Sequence, residues 1–186
     1  MISVCMATFN GGKFIREQLE SILSQLPSDN SEIVIADDGS TDETVSVTQS
    51  FGDSRIRVLP AEKHLGVIYN YERALQASKG EIIFLADQDD IWLPGKVERV
   101  LAALNDADLV THDAWMLRPS KSSDSSWARV GKLSDIRAYK SGVVANWWKN
   151  SFTGCCMVSG RRGLYGWLAL SNERRAGAGP DLYSEF

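Results

Sequence analysis

The stretch Ile82-Ile83-Phe84-Leu85-Ala86-Asp87-Gln88-Asp89-Asp90-Ile91-Trp92 decides the fold. Five apolar residues run into three carboxylates within four positions, and Leu93-Pro94 follows Trp92. An apolar run of that length, with no polar alternation, is a strand buried on both faces. Pro94 suits the first turn of a helix, on which Val97, Val100, Leu101 and Leu104 face inward. Open α/β sheets bind ligands outside the carboxyl ends of their strands. Clustered carboxylates there suit a hard divalent cation such as Mg²⁺, which is held through carboxylate oxygen together with substrate phosphates.

The chain on either side repeats this pattern. Ile2 to Thr8 reads as a strand broken by Asn10-Gly11-Gly12, and Phe14, Ile15, Leu19, Ile22, Leu23 and Leu26 then recur at helical spacing up to Pro27. Glu32 to Ala36 is a second strand, ending in Asp37-Asp38-Gly39-Ser40. Ser40-Thr41-Asp42-Glu43 has the form of a capping box, which predicts a helix from near Thr41 to about Phe51. Ile56 to Leu59 is a third strand. Gly66 precedes a helix with Ile68, Tyr71, Ala74 and Leu75 on one side and Gly80 as its C-cap. Asp108 to Thr111 is a fifth strand. This alternation predicts an α/β fold with a mostly parallel sheet covered by helices on both faces.

Beyond residue 118 the pattern loosens. Pro119 to Ser126 is polar and turn-rich, so residues 119–132 are assigned to an exposed loop. Phe152 to Val158 reads as a strand, Trp147 and Trp148 fit core or an oligomer interface equally, and Asn172 to Phe186 is expected to be poorly ordered.

Composition narrows the function classes. With 44% hydrophobic and 24% charged residues the chain is an ordinary globular protein, and a net charge of −4 argues against nucleic acid as the main partner. The charge is unevenly spread: Lys140, Lys149, Arg161, Arg162, Arg174 and Arg175 face only Glu173 between residues 140 and 175. A solvated face is the plain reading of that basic segment, and contact with an anionic membrane surface or substrate is the alternative. Cys5, Cys155 and Cys156 are odd in number and lack ligand spacing, which argues against a disulfide framework or zinc site. No basic leader opens the chain, and no apolar run approaches the roughly 18 residues of a spanning helix. The expected location is the cytoplasm, soluble or peripheral at the membrane face.

Asp-x-Asp occurs twice, and context separates the two. Asp106-Ala107-Asp108 precedes a strand, whereas Asp87-Gln88-Asp89 follows one. Parallel neighbours would place the ends of strands one, two and four on one edge, so that Thr8, Phe9, Asn10, Asp38 and Asp89 line one crevice. An acid there can accept hydrogen bonds from a nucleobase imide or a ribose hydroxyl, and Phe9 can stack on a base. A receiver-like signalling domain also uses acids beside a parallel sheet, but it wants its acidic pair after strand one, which here ends in Thr8-Phe9-Asn10.

Three blocks together, Ile2 to Gly11, Glu32 to Asp42 and Gly80 to Pro94, resemble the signature blocks of family 2 glycosyltransferases of the GT-A fold. The Asp-Gln-Asp-Asp-Ile-Trp block is similar to that of rhamnosyltransferase-like members. The resemblance implies a nucleotide-sugar-binding GT-A core over residues 1–118, with Ala7, Thr8 and Phe9 bordering the base and Asp38 contacting base or ribose. It implies that Asp87 and Asp89 form the motif for Mg²⁺ or Mn²⁺, with Asp89 the direct ligand. It also brings Lys63 to Asn70 near the donor. The implied activity is metal-dependent, inverting transfer from a UDP- or dTDP-linked donor to a glycan or lipid-linked acceptor in cell-surface polysaccharide synthesis.

Residues 133–186 depart from the family, as a partial or divergent acceptor side. An inverting enzyme needs a carboxylate base to activate the acceptor hydroxyl. After Val158 the acids are Glu173, Asp181 and Glu185, of which Asp181 is the candidate base. His112-Asp113 has a His-Asp form but comes too early in the chain and is expected to be structural or donor-side. A catalytically silent nucleotide-sugar-binding remnant or partner subunit is the alternative function.

Overall fold

A computed structural model of the chain describes residues 1–61, 63–119, 127–136 and 154–161. They divide into two units, residues 1–110 with 158–161 and residues 111–157. The first unit is built on parallel strands β1 (Ile2–Thr8), β2 (Ser31–Asp37), β3 (Ile56–Leu59) and β4 (Ile82–Ala86). Helices α1 (Ile15–Leu23), α2 (Thr44–Gln49) and α3 (Val67–Ala77) connect them, and α4 (Lys96–Leu104) follows β4. With β5 (Leu109–Thr111) and the antiparallel β8 (Met157–Gly160), the sheet order is β3-β2-β1-β4-β8-β5. The chain leaves β1 toward β2 and β3 and returns on the other side as β4. The switch point, where such sheets place their ligands, therefore lies between β1 and β4.

Strand alternation sorts the core into two faces. Val4, Ile33 and Phe84 are in register, as are Cys5, Val34 and Leu85 one residue on. The first set packs with Ile15, Leu19 and Ile22 of α1 and Val97 and Val100 of α4. The second packs with Ala74 and Leu75 of α3. Leu19 is fully buried, so Leu19→Ala would cost about 2–5 kcal/mol. Burial pushes the Cys5 thiol up to about 12, and among the described residues no disulfide forms.

Several local expectations are corrected. The capping box does not form: α2 starts at Thr44 with no side-chain cap from Glu43. The Ser40 hydroxyl is taken by Asp37 Oδ2, which it donates to at 2.5 Å, and by the Asn10 amide, from which it accepts at 2.9 Å. Gly80 is not a C-cap, since Ser78 ends α3 in extended conformation. It is glycine because a Cβ there would lie 2.5 Å from the Ser3 nitrogen. On α3 the buried residues are Asn70, Ala74 and Leu75, and Ile68 is exposed. Pro94 precedes α4 in a turn that Gly95 closes in left-handed conformation, φ 79°.

The second unit contains an antiparallel hairpin of β6 (Trp115–Pro119) and β7 (Trp127–Lys132), followed by α5 (Leu133–Ile136). Residues 127–132, assigned above to a polar loop, are thus a strand. A 3₁₀ turn at Gly154–Cys156 occupies part of the stretch read as the Phe152–Val158 strand, and β8 begins only at Met157. Asp113 accepts the Ser134 amide at 3.0 Å and the Ser134 hydroxyl at 2.6 Å. Its role here is structural. Trp147, Trp148, the tail from Asn172 and Asp181 lie outside the described residues. Among the described residues no helix is long and apolar enough to cross a membrane.

Candidate functional site

The carboxyl ends of β2, β1 and β4 lie side by side, and alternation decides what each residue there does. Thr8 and Asp37 fall on the α1 side and bond each other: the Thr8 hydroxyl donates to Asp37 Oδ2 at 2.9 Å. Asp37 also accepts the amides of Gly39 and Ser40 at 3.1 and 2.9 Å. With 3% exposure, Asp37 is a loop fastener. Asp38, one residue on, falls on the α3 side. Its Oδ1 accepts the Leu65 amide at 2.7 Å, and its Oδ2 accepts the Gly66 amide at 2.9 Å. His64 Nδ1 lies 2.9 Å from the same Oδ2. Burial alone would raise the Asp38 pKa. The Leu65 amide, the Asn70 side chain, the Gly66 amide and His64 together outweigh it and hold the carboxyl below its ordinary value.

Phe9 follows Thr8 with its ring 44% exposed. Its backbone is clamped by Gln88, whose Oε1 accepts the Phe9 amide at 2.9 Å and whose Nε2 donates to the Phe9 carbonyl at 3.1 Å. The middle residue of Asp-Gln-Asp thereby joins the tips of β1 and β4. Gly11 makes room for it, since a Cβ there would sit 2.2 Å from Gln88 Oε1. Asn10, in left-handed conformation at φ 49°, accepts the Thr41 amide at 2.9 Å through Oδ1. Gly12 donates to Asp42 Oδ2 at 2.9 Å.

The acidic tip itself is unevenly satisfied. Asp87 Oδ1 is 2.5 Å from the Tyr71 hydroxyl on α3, and the Asp87 carbonyl accepts from Gln18 Nε2 at 2.8 Å. Asp89 is exposed and makes no hydrogen bond or ion pair with any described residue. An accessible carboxylate with its acceptor sites free, two residues from a second carboxylate, fits an oxygen-liganded divalent cation. Helix α1 and the turn that follows it hold this segment. The Ser21 hydroxyl accepts the Trp92 amide at 2.9 Å, and Gln25 Oε1 accepts the Lys96 amide at 2.9 Å.

Of the residues singled out by sequence, Phe9, Asp38, Asp87 and Asp89 fall at these tips. Ala7 pairs with Ala36 just inside the sheet, and the buried Thr8 contributes a structural hydroxyl. Sequence reasoning gave no site role to Gln88 or Tyr71, and it brought His64 and Asn70 near the donor only as part of the Lys63 to Asn70 stretch, without a role for either. Asn70, fully buried, accepts Arg73 at 2.6 Å, and Arg73 also reaches the Leu59 and Pro60 carbonyls at 3.2 and 2.5 Å. A surface hollow of about 880 Å³ opens between Ile82, Leu104 and Arg161, and another of about 270 Å³ beside Thr48 and Val58. The acidic tips belong to neither; the exposed Phe9 and Asp89 stand on an open shelf.

Residues 3–166 match the model of glycosyl transferase family 2. The chain is 36% identical to the glycosyltransferase GlyG of Streptococcus pneumoniae over 114 residues, 59% of this chain and 38% of that protein. It is 32% identical to WfgD of Escherichia coli, a UDP-Glc:alpha-D-GlcNAc-diphosphoundecaprenol beta-1,3-glucosyltransferase, over 56% of this chain and 41% of that one. The chain thus spans about two fifths of the length of these relatives. Staphylococcus aureus TarS 1–349 in complex with UDP-GlcNAc superposes with a TM-score of 0.56 at 26% identity, covering 59% of this chain and 33% of that one. The mannosyltransferase PcManGT of Pyrobaculum calidifontis, in complex with GDP-Man and Mn²⁺, shares the fold with a TM-score of 0.61 at 21% identity over 90% of this chain and 46% of its own. A family match over most of the chain, a GT-A sheet order and the acidic tip of β4 agree, and the chain belongs to glycosyltransferase family 2.

Proposed function

We propose that the protein transfers a sugar, with inversion, from a UDP- or dTDP-linked donor to a glycan or lipid-linked acceptor in cell-surface polysaccharide synthesis. The observation that carries this reading is Asp89, a carboxylate without a described partner on the open edge beside the switch point, two residues after Asp87 and with Phe9 and Asp38 at the neighbouring tips. Support comes from WfgD, whose name specifies a UDP-Glc donor and a diphosphoundecaprenol acceptor, and from TarS in complex with UDP-GlcNAc.

Each residue then has a distinct task. Phe9 offers a ring face to the base, and Asp38 offers carboxylate oxygen to its imide or to the ribose. Asp89, with Asp87, holds Mg²⁺ or Mn²⁺, which when bound offsets the negative charge that grows on the diphosphate oxygens. Tyr71 and Gln18 keep Asp87 in place, and Gln88 fixes the distance between the base and diphosphate sides of the shelf. As the bond from the anomeric carbon to the diphosphate oxygen breaks, the acceptor oxygen bonds to that carbon from the opposite face. Its proton passes to a carboxylate base, for which Asp181 is the candidate. We place the reaction in the cytoplasm, with the basic segment offering peripheral contact to an anionic membrane face.

Calorimetric titration of UDP and dTDP with and without Mn²⁺ tests this directly. Metal-dependent binding is expected in the wild type and its loss in Asp89→Ala; equal affinity in the variant removes the metal assignment. Transfer assays over an acceptor panel follow. Tight nucleotide binding with no turnover would establish the silent binding subunit instead.

A further inference from the structure

Both groups offered to the nucleobase are already engaged by one side chain. The His64 imidazole packs on the Phe9 ring with centroids 4.7 Å apart and planes tilted by 51°. Its Nδ1 is 2.9 Å from Asp38 Oδ2. An aromatic face and a carboxylate acceptor are the two contacts a pyrimidine base would take here. His64 therefore holds, at once, the two places that the base reading assigns.

The three groups differ in how firmly they are fixed. Asp38 is 3% exposed and tied to the Leu65 and Gly66 amides, and the Phe9 backbone is clamped by Gln88. The His64 side chain is 63% exposed. Because Asp38 anchors the backbone immediately after His64, the imidazole can rotate away without the loop opening. Asp38 keeps its bonds to Leu65 and Gly66 while exchanging imidazole for another donor.

We propose that His64 is an internal competitor for the nucleobase: its imidazole occupies the seat on Phe9 and Asp38, nucleotide binding swings it outward, and it thereby sets nucleotide affinity. This rests on the assignment of Phe9 and Asp38 to the base. A tilted ring pair and a single imidazole–carboxylate hydrogen bond are each modest contacts, so their removal should tighten binding by about three- to tenfold.

The test is titration of UDP, with Mn²⁺ present, into the full chain as wild type, His64→Ala, His64→Phe and Phe9→Ala, with thermal unfolding to verify that each variant is folded. His64→Ala is expected to bind UDP about three- to tenfold tighter than the wild type. His64→Phe keeps the ring and loses the carboxylate contact, and should fall between them. In the wild type, the imidazole proton resonances of His64, identified by their loss in His64→Ala, should move toward solvent-exposed values as UDP saturates the site. Unchanged or weaker binding by His64→Ala, with Phe9→Ala still weakening it, overturns the competitor while leaving the base assignment intact. If Phe9→Ala binds UDP like the wild type, the base assignment fails and the competitor with it.

Discussion

The two ends of the same parallel sheet treat their carboxylates in opposite ways. At the amino end, Glu32 is 8% exposed and surrounded by donors. The Ser3 hydroxyl reaches it at 2.7 Å, the Lys79 amide at 2.5 Å and the Arg57 guanidinium at 3.3 Å. At the carboxyl end, Asp89 stands exposed with no partner among the described residues. A buried acid survives in a fold only when its oxygens are satisfied, and Glu32 meets that demand. Asp89 avoids the demand by staying in water. The first arrangement stabilises the sheet, and the second leaves acceptor capacity for a ligand. Asp37 and Asp38 do not share this contrast: the pleat turns them to opposite faces of the sheet, yet both are 3% exposed and both accept backbone amides.

The largest effect should come from removing the free acid. Asp89→Ala is expected to weaken Mn²⁺-dependent UDP binding by about a hundredfold or more, since even outer-shell changes cost 10–100-fold in metal affinity. Its unfolding temperature should stay near that of the wild type. A drop in stability with unchanged nucleotide affinity would put Asp89 in the same class as Glu32. Next comes Gly11→Ala. Its new Cβ would displace the Gln88 amide from Phe9 and should weaken UDP binding by about tenfold, the scale on which small misplacements act on organised sites. Gln88→Leu should match it in the same titration. Wild-type binding in both would show that the tips of β1 and β4 act independently.

At the other end, Glu32→Ala strands the Ser3 hydroxyl and the Lys79 amide. The cost should be about 2 kcal/mol, a fall of about 4–8 °C in unfolding temperature for a chain of this size. Nucleotide affinity should be preserved, and differential scanning calorimetry beside UDP titration separates the two readouts. A loss of affinity equal to that in Asp89→Ala would collapse the comparison.

The sheet was legible because strand ends are written in local chemistry. Ile2–Thr8 and Ile56–Leu59 have the bounds that their apolar runs and the following Asn-Gly-Gly and Pro predict. Asp89 and Phe9 were legible for the same reason: a residue just past a buried strand must sit at the sheet edge. The supports were not. Gln18, Ser21 and Gln25 read as the solvated side of an amphipathic helix, yet they bond the Asp87 carbonyl and the Trp92 and Lys96 amides. Nothing local distinguishes a polar residue facing water from one facing a distant backbone. Ser40 failed in the opposite sense. Its spacing to Glu43 fits a capping box, but Asp37 and Asn10 compete for the hydroxyl and win. His64 was invisible as a base mimic because its partners lie 55 and 26 positions away in the chain.

The smallest expected effect tests the electrostatics of the amino end. Burial by itself would raise the Glu32 carboxyl. The Ser3 hydroxyl, the Lys79 amide and Arg57 outweigh it and hold the group below its ordinary value of 4.5. A carboxyl with a lower pKa folded than unfolded binds fewer protons in the folded state, so its stabilising contribution is complete above the ordinary value and is lost as pH falls through the folded one. Wild-type unfolding temperature should therefore decline as pH is lowered below about 4.5, with Asp38 contributing in the same sense from its own ordinary value of 3.8. Glu32→Gln retains one acceptor oxygen, enough for both the Ser3 hydroxyl and the Lys79 amide, which share Oε1, but loses the Arg57 contact at Oε2 and cannot titrate. It should start lower in unfolding temperature at neutral pH and decline less steeply in acid, by the share of the slope that Glu32 supplies. An identical slope in the two proteins would mean that the donors around Glu32 satisfy its geometry without favouring its charge.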